Sequence, residues 1–220
     1  MPRGATLLCF SRSGPHWFQP SKSQNHLNWS QYIIKLKKSQ DLEIKRQNLH
    51  TWPMTTIIVP GFSVKNHEWA QNLAQNLTEE IKVLNYPHWE SGNNTDFSVS
   101  KMADELVAMV GQDPVNIVAK SVGNLISATA LPRIKDLVNR LVILGIPISD
   151  LHPEDPPTYK NLDVLGSEKV SVFQNDQDPH GTFDQAVGMF KNIGLGIEIT
   201  KMPAADHEYL YPEEVKKVVS

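Results

Sequence analysis

The sequence predicts an α/β protein: a three-layer α/β/α sandwich around a mainly parallel sheet of about six strands. Three observations predict it. The chain has 220 residues, enough for one domain with one continuous core. From Met54 onward, strand-sized apolar runs such as Leu141, Val142, Ile143 and Leu144 alternate with helix-period patterns. No run approaches the roughly 18 apolar residues that a spanning helix needs.

The elements follow in order. Thr55–Val59 is a β-rich run that stops at Pro60 and Gly61. Residues 68–77 carry Trp69, Leu73 and Leu77 at helical spacing. Residues 81–86 read as the next strand, ended by Pro87. Residues 98–110 form an amphipathic helix with Met102, Leu106 and Met109 on one face and Ser98 or Ser100 as its cap. Residues 115–119 are a buried-type strand, and a helix from about Ser121 to Leu131 is expected to end before Pro132. Strands at 141–146, 170–174 and 197–201 and helices at 183–193 and Pro212–Val219 complete the alternation. Strands separated by helices imply a parallel sheet with right-handed crossovers and helices on both faces. Residues 147–166 hold Pro153, Pro156 and Pro157 and read as a short lid-like insertion.

Residues 1–53 differ from the rest. They carry eight Lys/Arg against two Asp/Glu, and no acidic residue precedes Asp41. They show no sustained period of two or 3.6. The expectation is a disordered basic extension, either an over-long start or an organellar targeting peptide, with a functional basic arm as the third reading. The apolar run 5–10 is too short for a secretory signal. Residues 54–220 carry thirteen Lys/Arg against twenty-two Asp/Glu, which is a poor match to a phosphate backbone. Cys9 is the single cysteine, so no intrachain disulfide and no Cys-rich zinc site forms. A cytoplasmic location is expected, with organellar import as the alternative.

The window 116–124 reads Asn-Ile-Val-Ala-Lys-Ser-Val-Gly-Asn. An apolar strand runs into small-x-Ser-x-small, and a helix pattern follows at once. A nucleophile on such a strand-to-helix turn is held clear of the sheet in strained backbone geometry. Residues two before and two after it must be small, and here they are Ala119 and Gly123. The common form has Gly at both places, so Ala119 is a departure. The N–H of Val122 would face a developing oxyanion at the helix N-terminus. The alternative is a serine capping an ordinary βα turn.

With this elbow, the run Val59, Pro60, Gly61, Phe62, the run Asn175 to Pro179 and the run Ala205 to Glu208, the sequence from Met54 resembles the compact single-domain α/β-hydrolases. Among these it resembles the small serine-hydrolase family of retinoblastoma-binding protein nine. The resemblance implies a minimal α/β-hydrolase fold and the order Ser, Asp, His along the chain. It assigns Ser121 as nucleophile, His207 as base and Asp178 as orienting acid, with Asp176 as chief rival and Asp150 as a weaker one. The second oxyanion donor would be the N–H of Phe62, next to Gly61, although Pro60 stands where the family has His. Gly61, His88 and Trp89 are candidate pocket residues. Lys120 either favours an anionic substrate or pairs with a carboxylate. The site requires Ser121 Oγ within hydrogen-bond reach of one His207 nitrogen and Asp178 on the other.

The expected activity is hydrolysis of a small or exposed acyl ester, thioester or amide through an acyl-enzyme on Ser121. No cofactor is expected. No Walker-type loop, HExxH or three-ligand metal cluster is apparent in the sequence. The expected partner is a small acyl substrate, with no nucleic acid and no membrane span, and nothing in the sequence argues for a protein partner. The rival reading is a binding or scaffold protein that keeps the fold with little turnover.

Overall fold

The computed structural model describes residues 54–77 and 80–220. The expectations for residues 1–53 lie outside the described residues. Six strands, β1 (Thr55–Val59), β2 (Glu80–Val83), β3 (Val115–Lys120), β4 (Val138–Leu144), β5 (Val170–Asn175) and β6 (Ile199–Met202), form one sheet in the order β2-β1-β3-β4-β5-β6. Every pairing is parallel. The helices are α1 (Lys65–Ala74), α2 (Pro87–Ser91), α3 (Val99–Val110), α4 (Val122–Ile134), α5 (Phe183–Asn192) and α6 (Pro212–Val219). The predicted three-layer sandwich is the observed one.

Period-two alternation sorts the strand residues onto the two faces of the sheet. Ile57, Val59, Ile117, Ala119, Leu141 and Ile143 face the larger core cluster, with α3, α4 and α5. Ile58, Val118, Val142, Leu144 and Phe173 face the smaller cluster, with Trp69, Ala70 and Leu73 of α1 and Val215 and Val219 of α6. The central strand β3 is buried along its whole length, and its two polar residues, Asn116 and Lys120, are buried with the rest.

Several boundaries differ from expectation. Helix α1 starts three residues earlier than predicted, and β4 starts at Val138 rather than 141. Helix α4 does not stop before Pro132 but runs through it to Ile134. Proline has no N–H to give the Ala128 carbonyl four residues back. The Asn161 side chain supplies the missing donor, with Nδ2 at 3.0 Å from that carbonyl oxygen.

Asn161 belongs to the 147–166 segment that reads from sequence as a lid-like loop. That segment contains 3-10 turns at Ile148–Asp150 and Pro156–Leu165. Tyr159 and Leu162 are fully buried in the larger core cluster, so part of the insertion is anchored in the core.

In a parallel sheet all strands point the same way, and the turns that leave their C-terminal ends share one edge. Ser121 follows β3 directly, Asp178 follows β5, and His207 follows β6.

Candidate active site

Ser121 has φ 57° and ψ −126°, a conformation that side-chain-bearing residues rarely adopt. The turn is held from both sides. Ser121 N–H donates to the Leu144 carbonyl of β4 at 3.0 Å, and the Ser121 carbonyl accepts from Asn124 N–H at 2.9 Å. Asn124 Nδ2 donates to the carbonyls of Leu144 and Gly145. A Cβ on Gly123 would lie 2.1 Å from the Val59 carbonyl oxygen, so only glycine lets α4 start this close to β1. Ala119, the departure from the usual motif, is fully buried in the larger core cluster. As the first helical residue, Val122 has an N–H with no acceptor inside its own helix.

Asp178 is 1% exposed, and three donors hold it. His207 Nδ1 lies 2.7 Å from Oδ2, the Tyr209 hydroxyl donates to Oδ2 at 2.6 Å, and the His180 N–H donates to Oδ1 at 2.8 Å. Burial alone would raise the carboxyl's pKa. The hydrogen bonds from His207, Tyr209 and His180 outweigh it and hold Asp178 below the usual carboxylate range. A carboxylate only accepts, so His207 Nδ1 is the donor in this bond, and in the neutral imidazole Nε2 is then the acceptor nitrogen. That Nε2 is buried and has no hydrogen-bond partner among the described residues.

No hydrogen bond joins Ser121 to His207 among the described residues. The acid–base half of the expected arrangement is bonded, and the base–nucleophile half is not.

The rival acids are engaged elsewhere. Asp176 lies 2.8 Å from Lys201 Nζ in an exposed ion pair, which lowers its pKa. Asp150 Oδ2 lies 2.6 Å from Nδ1 of His180, a half-exposed pair. The His180 ring packs on His207 at 4.4 Å between centroids.

Tyr209 is the residue that sequence reasoning missed. Its hydroxyl also accepts the Asn175 N–H at 2.9 Å, which ties the end of β5 to the loop after β6. Burial and the Asp178 carboxylate push its pKa far up, so it remains a donor. Asn175 adds Nδ2 on the Asp206 carbonyl at 2.8 Å, and the Tyr211 hydroxyl donates to its Oδ1 at 2.7 Å. The signal in the sequence is the pair Tyr209 and Tyr211, two and four residues past His207, which reads as ordinary packing until β5 is beside it.

The loop after β1 is anchored by its carbonyls. Tyr86 hydroxyl donates to the Pro60 carbonyl at 2.6 Å, and His88 Nε2 and Trp89 Nε1 donate to the Phe62 carbonyl at 2.7 and 2.8 Å. The Phe62 ring stacks on His88 at 4.3 Å. His88 is buried and braces this loop, whereas Trp89 also lines a cavity of about 270 Å³ with Val64, His67, Tyr86 and Glu90. Among the described residues, the Phe62 N–H has no acceptor within the chain.

Among the described residues no helix is long and apolar enough to cross a membrane, and no three His, Cys, Asp or Glu residues are grouped to hold a metal ion. Neither a protein-family model nor a curated protein sequence matches the chain. Solved structures do match. A Xanthomonas campestris protein described as an α/β serine hydrolase without a lid is 16% identical, with 76% of this chain and 79% of that chain covered and a TM-score of 0.55. An α/β serine hydrolase homologue from Coxiella burnetii is 18% identical, with 76% and 83% covered and a TM-score of 0.55. Est1E from Butyrivibrio proteoclasticus is 16% identical, with 76% and 86% covered and a TM-score of 0.51. At these identities the likeness shows the α/β-hydrolase fold.

Proposed function

We propose that the chain is a serine hydrolase acting on a small or exposed acyl ester, thioester or amide. The observation that supports this most is the Asp178–His207 hydrogen bond, which leaves the Nε2 lone pair as a base on the sheet edge that carries Ser121. Ser121 Oγ attacks the substrate carbonyl carbon and its proton passes to Nε2 of His207. The carbonyl oxygen becomes an oxyanion that the N–H groups of Phe62 and Val122 stabilise. The tetrahedral intermediate collapses, the bond to the leaving group breaks, and Nε2 returns the proton to that group. Water then attacks the acyl-enzyme by the same route in reverse, and Asp178 stays ionised throughout. The nearer kinship with the family of retinoblastoma-binding protein nine is part of this proposal and rests on the motifs and their order.

The absence of a hydrogen bond between Ser121 and His207 favours the second reading, a binding protein with little turnover. Turnover of p-nitrophenyl acetate separates the two. The hydrolase reading expects multiple turnovers by the wild-type chain and a loss of at least about 10³-fold in Ser121→Ala, which removes the nucleophile altogether. Wild-type turnover no faster than that of Ser121→Ala supports the binding protein instead.

A further inference from the structure

Lys120 immediately precedes the nucleophile, is 3% exposed, and has no part in the chemistry above. It shares the parity of Val118, so it lies on the α1 and α6 side of the sheet. Its Nζ donates to Asn66 Oδ1 at 2.9 Å and sits 5.1 Å above the Trp69 ring. No carboxylate forms an ion pair with it among the described residues. A buried ammonium with a single amide acceptor costs stability, so its presence calls for an explanation.

Asn66 supplies one. Its side chain packs against the loop that carries the second oxyanion donor: a Cβ on Gly61 would lie 2.8 Å from Asn66 Nδ2. Asn66 Nδ2 and N–H both donate to the Ser63 carbonyl, at 3.1 and 2.8 Å. Trp69 extends the contact to the base loop, with Nε1 on the Tyr209 carbonyl at 3.4 Å. One cation therefore touches the elbow, the first residues of α1 and the tryptophan that reaches the histidine loop.

We propose that Lys120 is a positioning residue: its buried ammonium holds Asn66, and through Asn66 it holds the Gly61–Phe62–Ser63 loop in register with Ser121. This rests on the serine-hydrolase reading above. Asn66 and Trp69 face the ammonium from α1, Asp178 acts on it from beyond β5, and Asp206 and Glu208 from beyond β6. Burial lowers its pKa to about 8, against the raising effect of Glu208, Asp178 and Asp206. Protonated Lys120 donates to Asn66 Oδ1. As pH rises through about 8 the charge on that donor is lost and the loop is held less firmly.

The test measures kcat and KM for p-nitrophenyl acetate, and the rate of fluorophosphonate labelling, from pH 6 to 10. It uses the full chain as wild type, Lys120→Met, Asn66→Ala and the double variant. Each single variant is expected to lower kcat by about 10- to 100-fold with KM little changed, the size of effect a misplaced donor produces. The double variant should lose no more than the worse single, since both act along one route. Wild-type kcat should fall as pH rises through about 8, and Lys120→Met should lack that limb.

Full activity in Lys120→Met, additive losses, or the same alkaline limb in both proteins overturns the proposal. If Lys120→Met does not fold, Asn66→Ala with wild-type kcat and wild-type pH profile overturns it alone. A wild-type chain that neither turns over nor labels overturns the hydrolase reading itself. An active wild type with unaffected variants overturns only the role of Lys120.

Discussion

At the scale of residues, Asp178 and Asp176 are two positions apart and have opposite environments. Asp178 is buried under three donors, whereas Asp176 is paired with Lys201 at the surface. Asp178→Asn should lower kcat by about 10³- to 10⁴-fold by favouring the wrong His207 tautomer, while Asp176→Asn should stay close to wild type. Steady-state kinetics on the two variants decides between the acids. Tyr209→Phe removes one donor from Asp178 and leaves the Asn175 N–H without its acceptor. The cost is about 1–3 kcal/mol, measurable by urea unfolding. Because Asp178's pKa is lowered in the folded state, the stability it contributes is present above the ordinary carboxylate pKa. That contribution is lost as pH falls through the lower, folded value. Tyr209→Phe should therefore shrink the stability gap between pH 7 and pH 3. Lys120 has the opposite sign. Its folded pKa of about 8 lies below the unfolded value, so the burial penalty is full below pH 8 and fades as pH rises toward 10.5. Lys120→Met should then raise stability at pH 7 by about 1–3 kcal/mol even as it slows turnover.

At the scale of elements, the elbow depends on a close approach that no other residue type permits. Gly123→Ala would push a methyl group onto the carbonyls of Val59 and Pro60, at 2.1 and 2.7 Å. The outcome expected is loss of the folded state, or displacement of the loop after β1 with loss of activity, followed by circular dichroism and turnover together. The C-terminal half of α4 has a different dependence. Asn161→Ala would leave the Ala128 carbonyl unsatisfied beside Pro132 and should cost about 1–2 kcal/mol. Proline is read from sequence as a helix stop because its missing N–H and its ring both oppose continuation. Here a side chain 29 residues further along the chain supplies the missing donor, and no local pattern announces that. The capped helices were easier to read. Ser98 accepts from Lys101 N–H at the start of α3, a local bond between residues that the sequence itself spaces correctly.

At the scale of the whole molecule, the sheet was readable because β3 and β4 each carry an apolar run, Ile117–Val118–Ala119 and Leu141–Val142–Ile143–Leu144, and glycine or proline punctuates many of the turns. The order β2-β1-β3-β4-β5-β6, with every pairing parallel, is compatible with right-handed crossovers. What the sequence did not show is tertiary in origin. Tyr209 acquires its role only when the end of β5 lies beside the loop after β6. The bracing of the Phe62 carbonyl by His88 and Trp89 joins residues 26 and 27 positions apart in the chain at one edge. The buried state of Lys120 depends on Trp69 and Asn66 of a neighbouring helix. Each of these long-range contacts gathers at the sheet edge where Ser121 stands. The most direct test of its central role is intact-mass and peptide-mass analysis after exposure of the folded full chain to a fluorophosphonate. One adduct is expected, on the peptide containing Ser121, and it should be lost in both Ser121→Ala and His207→Ala. An adduct on another residue, or none on well-folded wild-type protein, would contradict it.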